Sequence, residues 1–236
     1  MSVGTGTQAA AAPMQKYKKR SQIAQIWGRF KKNKMAMGGL ILFGIMLIVA
    51  ITAPLFIDYE VDVIQQTISE RFQSPSAAHW FGTDQFGRDI FSRVFWGARI
   101  SMFVGVVVVV ISLIIGSILG AASGFFGGWL DNVIMRFMDI LLAIPGTMLA
   151  ITIVAALGGG IQNLLLALSI EQIPKMTRIV RSSVLTLKTQ DYIEAARACG
   201  TTNARIIYRH ILPNAIGPIL VQASLTVART IISVAS

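Results

Sequence analysis

Long apolar blocks separated by polar ones dominate this chain. Residues 38–56 run nineteen positions without a charge, enough to cross the hydrocarbon core of a bilayer as a helix. Residues 100–126 form a second block, in which Ser112, Gly116, Gly120 and Gly124 recur every four positions. Small residues at that spacing share a helix face and let another helix come close, so a packing seam is expected. The third block, 138–157, is interrupted by Pro145-Gly146. Proline inside a spanning helix frees a carbonyl and bends the helix, which is tolerated where neighbours or water satisfy it. A glycine triplet at 158–160 turns into a short fourth block, from 161 to about 174, that carries Glu171. Lys175 and Arg178 lie within one or two helical turns and are expected to pair with this carboxylate. Pro145 and Glu171 are the candidates for lining a pathway. Residues 216–235 begin a fifth block, with Arg229 so deep in it that it must face the bundle or snorkel. The expected architecture is an all-α membrane protein, a polytopic transmembrane helix bundle of about five spans.

The stretch between the fourth and fifth blocks, 188–213, reads KTQDYIEAARACGTTNARIIYRHILP. Asp191 with Glu194 three positions on is a capping-box-like arrangement, and Gly200 suits the left-handed residue that ends a helix. Thr201 or Thr202 can cap a second helix bearing Ile206, Ile207 and Ile211, expected to stop before Pro213. The prediction is a helix, a glycine turn and a helix, tethered at both ends to lipid-spanning segments. Such a hairpin offers a docking surface to something in the water phase.

Charge sets the expected sidedness. Residues 15–34 carry eight basic residues around Ile23, Ile26, Trp27 and Phe30, and no acid. They read as an amphipathic interfacial helix against anionic membrane lipids, within a cytoplasmic tail spanning 1–37. The first span, 38–57, is not a cleavable leader, because the stretch before it is too long and further spans follow. Residues 58–99 then fall outside, with six acids against four arginines. Their second half holds Phe81, Phe91, Phe95 and Trp96 among Asp84, Arg88, Asp89 and Arg93, and is read as an amphipathic segment held by ion pairs. The membrane core spans 100–236, and a short inside loop is expected at 127–136. The seven basic residues of 175–209 against Asp191 and Glu194 place the hairpin inside.

Composition narrows the chemistry. At 54% hydrophobic and 14% charged, with a mean hydropathy of +0.65, the chain is too apolar for an ordinary soluble domain. The net charge of +10 therefore speaks to membrane orientation rather than to nucleic acid. The single cysteine, Cys199, has no ligand partners at metal spacing, and no phosphate-cradling loop or zinc-binding H-E-x-x-H is present. No catalytic or metal-binding residue is expected.

Three motifs, in order, carry a resemblance. FGTDQFGRDIFSRVFWGARIS (81–101), GFFGGWLDNVIMRFMDILLAIP (124–145) and YIEAARACG followed by RHILPN resemble the inner-membrane permeases of ABC importers, specifically the C-type subunit of the dipeptide and oligopeptide branch. The resemblance implies a type I ABC importer fold, with a sixth span after a glycine-rich segment. It implies that 188–213 is the EAA coupling loop, with Asp191, Glu194, Ala195, Ala196, Gly200 and Thr201 as its coupling residues. The implied partners are a second permease subunit, two ABC ATPase subunits and an extracytoplasmic peptide-binding protein. ATP is then bound by the partner subunits, and this chain needs no cofactor of its own. The implied place is the bacterial cytoplasmic (inner) membrane with the N-terminus in the cytoplasm, and the cargo dipeptides, oligopeptides or metal chelates such as nickel. Two other classes fit parts of the pattern: a self-sufficient channel or ion-coupled carrier using Glu171 and Asp139, and a membrane-tethered helix-turn-helix regulator built on Gly200.

Overall fold

A computed structural model describes residues 30–235. The expected interfacial helix at 15–34 thus falls almost wholly outside the described residues. The chain divides into two compact units, Met1–Met46 and Leu47–Ser236. In the first, the Asn33 side chain accepts the Ala36 N–H at 3.2 Å and so caps the start of α1 (Lys34–Phe56).

The second unit begins with the end of α1 and a compact linking loop. Asp58 accepts the N–H groups of Glu60 and Val61 to start a π-helical turn, Tyr59–Ile64. Further on, Thr83 and Asp89 form an isolated antiparallel bridge. In the amphipathic segment read at 81–99, helix starts only at Ile90, because Gly82 and Gly87 take φ of +74° and +75° and hold 82–89 as a tight turn. Asp89 then caps α2 (Ile90–Phe126) by accepting the Ser92 N–H at 2.7 Å. At 37 residues, α2 is about 55 Å long, so Phe91, Phe95 and Trp96 lie on the same rod as the second apolar block.

The expected inside loop at 127–136 is helical as well. Gly127, at φ +67°, turns the chain into α3 (Gly128–Ala143). Ile144 is extended, as a residue before proline prefers. Pro145 then starts α4 (Gly146–Leu157) at 87° to α3. The third block is therefore two helices at a right angle rather than one kinked span. Among the described residues, three helices have the length and apolarity of a span: α1, α2 and the run Asn203–Val234. The α3 and α4 pair makes a fourth if it counts as one.

The fourth apolar block is the first half of α5 (Ile161–Leu187), which continues through Pro174. Its second half is helical because Met176, Val180 and Val184 form a buried stripe that seats on the glycine seam of α2. A Cβ at Gly116 would lie 2.7 Å from Met176, one at Gly120 2.5 Å from the Thr177 carbonyl, and one at Gly124 2.9 Å from the Arg181 carbonyl. The seam expected at four-residue spacing is thus where α2 and α5 meet backbone to backbone. After α6 (Asp191–Ala198) and the single turn α7 (Asn203–Ile206), a π-helical turn at Ile207–Ile211 leads into α8 (Leu212–Ala235). Pro213 does not stop this helix. The Leu212 N–H reaches back to the Ile207 carbonyl, and this wider turn accommodates the proline, which has no N–H to give.

Candidate functional site: the α6 hairpin and the proline break

Helix α6 joins α5 through residues 188–190 alone. Gln190, extended at φ −82° and ψ 143°, occupies the position before the first helical residue, and no side chain caps it. Asp191 is therefore inside the first turn rather than the cap. There it and Glu194 place negative charge at the positive end of the helix dipole, with Arg197 in the last turn. The other end follows the sequence. Gly200, at φ +73°, donates to the Arg197 carbonyl at 2.9 Å, and Thr201 donates to the Ala196 carbonyl at 3.1 Å. These two bonds are a Schellman closure, which only a residue at ease in the left-handed region allows.

The helix is anchored by one face. Ile193 is fully buried in a cluster with Phe125 of α2, Val184 of α5, and Ile206 and Ile211 of the following turns, with Ala196 packed at its edge. Burying one such side chain is worth about 2 kcal/mol. The Lys188 ammonium donates to the Gly124 carbonyl at 2.8 Å, and the Arg197 guanidinium lies 5.3 Å from the centre of the Phe125 ring. Asp191, Glu194, Ala195 and Gly200 are exposed, while Ala196 and Thr201 are half-buried. Of the six residues singled out in the sequence, four thus form an outer face and two tie it down.

Three acids of α3 and α5 are paired with α5 cations. The Arg181 guanidinium forks onto Asp131 with two bonds of 2.6 Å, and Ser123 donates to the same carboxylate. Asp139 is paired with Arg178. Glu171 therefore takes Lys175, at 2.8 Å, and the Gln172 amide, at 3.1 Å. The two pathway candidates come together: a Cβ at Gly146, next to Pro145, would lie 2.4 Å from the Glu171 carboxyl carbon. Ser112, Ser169, Gln172, Thr226 and Thr230 are buried polar residues of the α2, α5 and α8 bundle.

Sequence reasoning missed how tightly one residue organises the loop before α2. Asp84 accepts the N–H groups of Phe86 and Arg88, at 2.7 and 3.0 Å, and pairs with both Arg88 and Arg93. Burial alone would raise its carboxyl, but the Arg88 and Phe86 N–H groups and the Arg88 guanidinium outweigh that and hold its pKa at about 2. The signal was present as Asp84-x-x-Gly87-Arg88, an acid followed by a left-handed residue and a cation.

Residues 112–236 match the family described as binding-protein-dependent transport system inner membrane component. Residues 21–75 match the N-terminal TM domain of oligopeptide transport permease C. The chain is 45% identical to a dipeptide transport system permease protein of Alkalihalophilus pseudofirmus, over 95% of this chain and 73% of that protein. It is 43% identical to an oligopeptide transport system permease protein of Bacillus subtilis, over 86% and 66% respectively. A glutathione transport system permease protein of Escherichia coli is 42% identical, over 90% and 70%.

Proposed function

The chain belongs to the family of binding-protein-dependent inner-membrane transport components, in its dipeptide and oligopeptide permease C branch, and from that premise we propose that it moves small peptides across the bacterial cytoplasmic membrane by alternating access. The hairpin at 188–213 faces the cytoplasm, as does the N-terminus. Its outer face, Asp191, Glu194 and Ala195 backed by Gly200, docks in a groove of one of two ABC ATPase subunits. ATP is bound and hydrolysed on those chains. A second permease subunit completes the pathway, and an extracytoplasmic binding protein delivers cargo.

One observation carries this reading. The outer face of α6 carries Asp191 and Glu194 and is exposed, its inner face is locked by Ile193, and beyond the Gly200 turn the chain runs on as helix from Asn203 to Val234. Closure of the ATPase pair on ATP then moves the bundle helices as bodies. A helix-turn-helix regulator fits poorly, because Ile206 and Ile211 of the would-be recognition helix are fully buried in the bundle and cannot enter a DNA groove. A self-sufficient carrier fits poorly, because the acids it would use, Glu171 and Asp139, are already ion-paired.

The test uses the assembled importer in proteoliposomes. Glu194→Lys and Gly200→Asp are each expected to leave the subunit in the membrane and to lower ATP-dependent dipeptide uptake at least tenfold. Uptake at the normal rate with both changes ends the proposal.

A further inference from the structure

Arg229 lies about 26 Å along α8 from Leu212, within a run whose neighbours Leu225 and Ile232 are exposed and apolar. Its side chain is exposed on the subunit, and no carboxylate among the described residues forms an ion pair with it. The acids nearest in character are already taken: Asp131 by Arg181, Asp139 by Arg178 and Glu171 by Lys175. A guanidinium at membrane depth carries a heavy penalty against hydrocarbon and is found where it meets an anion or a water-filled space.

The helix places it one turn from a cavity that Arg229 itself does not line. Ser233 is four residues on, hence next to Arg229 on the same helix face. Ser233 lines a cavity of about 570 Å³ together with Ile151 and Val154 of α4 and Leu164, Leu168 and Glu171 of α5. That volume is in the range of small-molecule sites, whose walls are mostly apolar with a few placed polar groups. Glu171 brings no free charge to it, being held by Lys175 and Gln172. The unmatched charge beside the cavity is therefore positive.

Resting on the reading of small peptides as cargo, we propose that Arg229 is the anion-binding group of a cargo site in the cavity between α4, α5 and α8. Its guanidinium receives the C-terminal carboxylate of a peptide in transit, and the apolar walls accept the peptide's side chains. A planar fork matches a carboxylate with two parallel bonds. A single charged contact gives the cargo a resting place while leaving release easy.

The test measures uptake of alanyl-phenylalanine and of its C-terminal amide by the complete importer in proteoliposomes, with the binding protein saturated. Arg229→Gln is expected to lower free-acid uptake at least tenfold, Arg229→Lys to lower it less because the charge stays while the fork is lost, and amide uptake to be the same in wild type and Arg229→Gln. The second permease subunit should co-purify unchanged with all variants. Unaltered free-acid uptake by Arg229→Gln overturns the site, the side chain then merely snorkelling to water. Loss of the second permease subunit from the Arg229→Gln complex also overturns it, the anion then being an acid of that subunit. Equal losses for Gln and Lys overturn it too. A wild-type importer that moves no dipeptide defeats the cargo reading and this site together, whereas normal wild-type uptake with an indifferent Arg229→Gln defeats the site alone.

Discussion

The two polar stretches that interrupt the bundle, the loop before α2 and the hairpin at 188–213, are ordered by opposite means. The loop is tied by charge. Asp84 gathers two backbone N–H groups and two arginines, and His79 is within 3.2 Å of Asp89. The hairpin is tied by burial, with Ile193, Ile206 and Ile211 fully enclosed and its acids left exposed. A charge-tied segment responds to pH and salt and holds its own shape. A segment tied by burial shares the core of the rods beneath it, so it shifts only with them. On the proposed function, that difference suits a surface that has to pass on force.

The largest break in this comparison comes from Ile193→Asp. Placing a carboxylate without a partner in the cluster of Phe125, Val184 and Ile206 is expected to cost on the order of 4 kcal/mol. The loss is read as a lower thermal midpoint of the detergent-solubilised subunit, with hydrogen-exchange protection lost first over 188–213. Asp84→Asn comes next. It removes the charge that Arg88 and Arg93 share and should cost about 2 kcal/mol locally, visible as faster proteolysis within 70–90 while α6 stays protected.

The same residue gives the loop a pH dependence. Its folded pKa, about 2, is below the ordinary value of 3.8. The stabilisation is therefore complete above pH 3.8 and is lost as pH falls through 2. Amide protection around 82–90 should decline over that acid window and return in Asp84→Asn to a flat profile. The smallest effect is Glu194→Gln, which changes an exposed side chain and should shift stability by less than about 0.5 kcal/mol. A large loss of stability there would mean that the outer face of α6 is structural, contrary to the comparison.

Much of this was legible in the chain because it depends on local spacing. Glycines four apart can only make a one-sided seam, and Gly200 after an eight-residue helical stretch can only end it. Pro145 announced a break, but its angle depends on how Gly146 fits against Glu171, twenty-five positions away in the chain. Two readings failed for related reasons. Pro213 looked like a stop because one proline cannot reveal a π-helical turn before it. Asp191 looked like a cap because Gln190, with no cap bond of its own, carries no signal. The ion pair of Glu171 was legible in Lys175, four positions on, whereas only the fold assigns Arg178 to Asp139 and Arg181 to Asp131. Arg229 was legible as a problem, and the cavity beside Ser233 was not, since it takes three helices to enclose it.

The run Asn203–Val234 is 32 residues long and contains a π-helical turn at Ile207–Ile211, a stick of about 48 Å. Tilted by about 10° about its α7 end, such a stick sweeps its far tip through roughly 8 Å by simple trigonometry, wider than a water molecule and close to the breadth of a small peptide. On the proposed reading, geometry of this kind works as a gear train, in which a slight turn applied at the hairpin becomes a wide opening at the far end of α8.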